Sequence, residues 1–119
     1  MPGKCFSTRQ PACFERPGGI RIFHLALHVL VPLALARFAF PRHWPRAFLI
    51  MLATMAVDLD HLLAEPIYDP LRCSIGFHPL HGIVPIGIYL LLCLMPFSRL
   101  AGIGLLLHMG LDFLDCLML

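Results

Sequence analysis

The stretch Val57-Asp58-Leu59-Asp60-His61-Leu62-Leu63 constrains this chain more than any other. It closes an otherwise apolar run from Ala47 to Ala64, long enough for a membrane helix. An Asp at the centre of such a helix costs about 2.5–3.5 kcal/mol on insertion scales. Any fold for this chain therefore has to bring polar or charged partners to this point.

The whole chain is 59% hydrophobic and 13% charged, against about 25% charged in soluble domains. Its mean hydropathy is +0.81. A soluble domain of 119 residues has too little interior to hide so much apolar surface. The chain therefore reads as an integral membrane protein, with the lipid bilayer as its surroundings. A net charge of +2 is too small for nucleic-acid binding. The five cysteines are scattered and form no Cys-x-x-Cys pair, which argues against a zinc ribbon or a redox motif. Cys93 and Cys116 are expected to pack as small apolar residues.

Residues 1–20 hold Lys4, Arg9 and Arg16 among Pro and Gly, and are expected to form a polar, disordered tail rather than a signal peptide. Residues 21–119 are expected to form an all-α, four-helix transmembrane bundle. The first helix is placed at Ile22–Phe40 with Pro32 inside it, and the second at Arg46–Ala64. A loop follows with Pro66, Pro70 and Gly76 as breakers. The third helix is placed at His78–Met95, with Pro79 in its first turn, and the fourth at Leu100–Leu119. The linkers Pro41–Pro45 and Pro96–Arg99 are short, so the bundle runs up-down-up-down.

That topology sorts the ionisable residues. His24 and His28, then Asp58, Asp60 and His61, then His78 and His81, then Asp112 and Asp115 all fall at one end, and His108 lies deeper on the same helix as the last pair. Six of seven His and four of five Asp are on this side. His43 falls at the other, beside the interfacial Trp44, and Asp69 reads as a turn residue. The spacings are helical. His24 and His28 are four apart, Asp58 and His61 three apart, and His108, Asp112 and Asp115 make one stripe. Asp60 points elsewhere on a regular helix, which makes it either a partner that orients a ligand or a sign that the helix loosens there.

Imidazole mixed with carboxylate suits Zn²⁺, Mn²⁺ or Fe²⁺. The four carboxylates carry four negative charges, which two divalent ions would cancel. The expected metal ligands are His24, His28, Asp58, Asp60, His61, His78, His81, His108 and Asp112. Asp115 is the candidate general base, and Arg72 the candidate contact for a phosphate group of the substrate.

The run Met51 to Ala64, then Arg72-Cys-Ser-Ile-Gly-Phe-His78-Pro-Leu-His81, then His108-x-x-x-Asp112-Phe-x-Asp115-Cys116 resembles a small bacterial integral-membrane family catalogued as a domain of unknown function. The resemblance covers about residues 22–119. The order Asp-x-Asp-His, a later His pair and a further helix is more distantly similar to bacterial inner-membrane proteins classed as metal-dependent hydrolases of the LexA-binding type. Here Val57 stands where those have Pro, and His78-Pro-Leu-His81 lacks their Arg, Ser and wider spacing. By analogy, His-x-x-x-Asp on a helix is also similar to ligand pairs of zinc phospholipases C. The metal-ligating residues, with this distant similarity beside them, point to an inner-membrane, metal-dependent hydrolase acting on a phosphoester or lipid head group, and the short loops favour a site on the outer face. The alternatives are a carrier for metal ions or protons, and a b-type haem protein. A carrier needs polar groups through the whole bilayer depth, whereas here the far half is apolar. Haem leaves four carboxylates idle.

Overall fold

The computed structural model describes residues 18–65, 69 and 72–118. Among these the fold is all helical, with four α-helices: α1 Gly18–Ala39, α2 Trp44–Ala53, α3 Ile83–Leu94 and α4 Arg99–Leu117. Helix α4 is the common partner, since it packs against α1, α2 and α3. Residues 1–17, where most of the expected tail falls, lie outside the described residues, as do Pro66 and Pro70. Helix α1 begins at Gly18, a turn before its expected start, and carries the buried Pro32 without interruption.

Two of the expected helices are broken. The second does not run as an α-helix to Ala64: α2 stops at Ala53 and a 3-10 segment, Thr54–Leu63, continues the chain. The Thr54 hydroxyl donates to the Met51 carbonyl at this junction. A 3-10 helix has about 3.0 residues per turn, so side chains three apart eclipse. Val57 and Asp60 thus share one buried face, while Asp58 and His61 share the next.

The third helix does not start at His78. His78 precedes a single 3-10 turn, Pro79–His81, and α3 begins only at Ile83. The cause is Pro85, which has no N–H and whose ring opposes the carbonyl four residues back, that of His81. That carbonyl accepts from Gly76 N–H at 2.9 Å instead. Gly76 has φ +81°, a left-handed conformation that favours glycine. Tyr89 Oη on α3 donates to the Leu80 carbonyl at 2.9 Å and ties the turn to the helix behind it.

As a result, among the described residues α1 and α4 are the two helices long and apolar enough to cross a membrane, and α3 is a shorter apolar helix. The core divides along the bundle. Ala36, Ala47 and Met51 pack with Leu35, Phe40, Phe48 and Ile103 at the end away from the clustered His and Asp residues. Val57, Tyr89 and Met109 pack with Ile75, Ile86 and Leu105 beneath them. Cys116 does not pack as a free apolar residue: it is joined to Cys73 by a disulfide, whereas Cys93 is free. The 3-10 segments and the loop bring the two sulfurs together, which no local sequence pattern announces.

Two glycines let α4 approach its neighbours. A Cβ on Gly102 would lie 2.6 Å from Cys93 N on α3, and one on Gly104 would lie 2.8 Å from Thr54 Oγ1 and 2.9 Å from Met51 Cα. Backbone that close cannot yield without moving a helix. Gly104→Ala is therefore expected to lower stability by about 1–3 kcal/mol. Gly110→Ala, with nothing within 4 Å of its Cβ, should be neutral or gain up to about 1 kcal/mol. Thermal unfolding of the two variants in detergent separates them, and equal melting would contradict the close packing.

Candidate metal centre

The ten ionisable residues expected at one end of the bundle do meet there. Helix α1 supplies His24 and His28, the long 3-10 segment supplies Asp58, Asp60 and His61, the short turn supplies His78 and His81, and α4 supplies His108, Asp112 and Asp115. Nine of them make three groups with mutually close ligand atoms: His24, His28 and Asp112; Asp58, His81, His108 and Asp112; and Asp60, His61 and His78. His43 stays in the turn before α2, outside all three.

Asp112 joins the first two groups. Its Oδ1 stands 3.2 Å from His24 Nε2 and 3.3 Å from His28 Nε2. Its Oδ2 stands 3.1 Å from His81 Nε2 and 3.3 Å from His108 Nε2. Asp58 Oδ1 closes the second group, 2.9 Å from His108 Nε2 and 3.4 Å from His81 Nε2. Asp115 sits at the rim, with Oδ1 3.9 Å from His24 Nδ1.

These separations fit a metal ion. Ligand atoms about 2.0–2.1 Å from a tetrahedral ion stand about 3.3 Å from one another. Among the described residues, none offers a well-aligned hydrogen bond to His28 Nε2, His81 Nε2 or Asp112 Oδ2, all buried, nor to the other ring nitrogen of His108, Nδ1. Such groups are destabilising unless something satisfies them. Imidazole nitrogens converging on carboxylate oxygens at these distances would be satisfied together by a cation.

The ring orientations are fixed from behind. His28 Nδ1 donates to the His24 carbonyl at 3.0 Å, which leaves Nε2 to face Asp112. His81, fully buried, donates from Nδ1 to Asp60 Oδ2 at 3.0 Å. A carboxylate behind a ligating His sets its tautomer and raises its basicity. Asp60 does more than this. The same Oδ2 accepts from Leu80 N–H at 2.8 Å, and Oδ1 faces His61 Nδ1 at 3.0 Å, so one carboxylate pins the long 3-10 segment to the short turn.

His61 reaches Ser74 Oγ with its other nitrogen at 3.2 Å and lies against the His78 ring, centroids 3.7 Å apart. Burial, then His61 alongside, holds the His78 pKa below its ordinary value, which favours the neutral form that binds metal. Arg72 lies over the Phe77 ring at 4.4 Å, and Phe77 in turn meets His78 edge-on, so Arg72 borders the cluster through Phe77. Helical spacing and loop length point neither to Ser74 nor to the Cys73–Cys116 disulfide. Both cysteines flank expected site residues at the same end of the bundle, and that shared end is the signal the sequence offers.

His81→Ala removes a nitrogen that faces two carboxylates, and should lower metal affinity at least about 100-fold. His43→Ala should leave it unchanged. Competition with a chromophoric chelator measures both, and equal affinities would refute the placement of His81.

No curated protein and no solved structure matches this chain. The sequence model of a family of unknown function, DUF6122, matches residues 20–119, which includes every residue of the centre. The chain belongs to that family.

Proposed function

We propose that this protein is a membrane-embedded, metal-dependent hydrolase acting on a phosphoester, with a lipid head group as the natural setting for such a bond. The observation that carries the reading is the Asp112 carboxylate, one oxygen on each of two histidine sets. Two divalent ions of the Zn²⁺, Mn²⁺ or Fe²⁺ kind, held by His24, His28 and Asp112 and by Asp58, His81, His108 and Asp112, would supply Lewis acidity for a phosphoryl group and lower the pKa of water. Asp60 holds His81 in position for this, and Asp115 at the rim is placed to take a proton from the attacking water. Arg72, beside Phe77 at the edge, is the candidate contact for the charged part of the substrate.

Further observations support the setting. Large apolar side chains are exposed all round the fold, among them Phe38, Ile83 and Phe97, which suits a four-helix bundle held in lipid. The core of the far half, around Ala36, Ala47 and Met51, is apolar. That favours a one-sided site over a carrier with a polar path across the bilayer. The Cys73–Cys116 disulfide lies at the site end and suits an oxidising compartment, which favours an outward-facing site.

Detergent-purified protein is expected to keep about two tightly held divalent ions per chain by elemental analysis, and to hydrolyse phosphoesters when so loaded. Absence of metal after reconstitution with Zn²⁺ and Mn²⁺ would overturn the reading. Asp112→Asn is the sharper test, since it keeps size and removes charge. It should abolish hydrolysis, lower metal affinity at least about 100-fold, and erase the gain in melting temperature that metal gives the native protein. It should leave the metal-free form as stable or more stable, because a buried carboxylate is gone. Equal melting of both proteins across a metal titration would count against the shared-carboxylate centre.

A further inference from the structure

The two-ion centre leaves Asp60, His61 and His78 unaccounted for as ligands. They form a group of their own, with ligand atoms within 4.8 Å of one another, and they share no residue with the other two groups. We propose that this trio is a third divalent-ion site, exchangeable with solvent and distinct from the Asp112 centre. The inference extends the two-ion reading but takes none of its ligands.

The geometry is that of an open site. Asp60 is 4% exposed and His78 4% exposed, while the His61 side chain is 28% exposed, so the trio has a buried floor and one accessible wall. Asp60 Oδ1 and His61 Nδ1 face each other at 3.0 Å, close to the spacing of two ligands on one ion. The other nitrogen of His61 is held by Ser74 Oγ, which orients the ring. His78 is a buried imidazole beside them. It makes ring contacts with His61, Phe77 and His81, and no described residue hydrogen-bonds its ring. Two nitrogens and one carboxylate oxygen, with water on the open side, are the donor set that suits Zn²⁺ in sites that keep a free position.

Binding here breaks the hydrogen bond between His61 Nδ1 and Asp60 Oδ1, and the imidazole hydrogen moves to Nε2, which then donates to Ser74 Oγ. The site also touches the buried centre, because the other oxygen of Asp60 holds His81. An ion at this rim can be exchanged while the buried pair stays in place.

The test is the number of ions held by full-length protein in detergent. Protein stripped with chelator is titrated with Zn²⁺ and bound metal is counted, with gel filtration and circular dichroism confirming the fold of each variant. The native chain should take up about three ions, the last with an affinity at least about 10-fold weaker than the first two. His78→Ala should take up about two, losing only the weak one, and Asp112→Asn should keep about one weak ion. His78→Gln serves if the alanine variant fails to fold, and should give the same count. Saturation of the native chain at two ions would overturn the third site while leaving the two-ion centre standing. An unchanged count in His78→Ala and His78→Gln would also overturn it. A native chain that binds no ion would overturn both readings.

Discussion

The sharing of Asp112 between two sets of histidines is the interaction on which the rest of this structure depends. A carboxylate buried among imidazoles from α1, the short turn and its own helix is unstable there unless its charge is met. Meeting it requires α1 and the short turn to converge on α4 within hydrogen-bond range of one side chain. The packing serves this convergence. Helix α4 is the element against which α1, α2 and α3 all lie, and it is the one that carries Asp112.

The backbone around the centre departs from regular α-helix wherever a ligand has to be aimed. The 3-10 segment after Ala53 turns Asp58 and His61 onto one face and Asp60 onto another. Pro85 denies His81 an α-helical carbonyl partner, and the left-handed Gly76 supplies the substitute. Asp60 fastens these two irregular pieces together through His61, Leu80 and His81. The irregular segments are thus stabilised by the polar groups they display. They are also the parts whose shape should depend most on whether those groups are satisfied.

Much of the centre is legible in the amino-acid sequence. Helical spacing puts His24 with His28 and Asp112 with His108, and short linkers put both pairs at one end. Those pairings hold because each lies within one regular α-helix, where residues four apart share a face. Legibility ends where regularity ends. The runs around α2 and α3 are apolar for nearly the full width of a bilayer, yet each contains a break, and hydropathy counts residues without seeing how the backbone winds. Asp60 is the one residue that signals the break, because a regular helix aims it away from its neighbours.

The sequence by itself determined that this chain is strongly apolar, that it is helical, and that most of its His and Asp residues gather at one end. These follow from composition and from periodicity within single segments. Tertiary structure alone decided that Asp112 faces two histidine sets, that Asp60 stands behind His81, and that Cys73 bonds Cys116. Each of these is a meeting of residues far apart in the chain. No local pattern encodes a meeting of that kind, because it is fixed by the packing of whole elements.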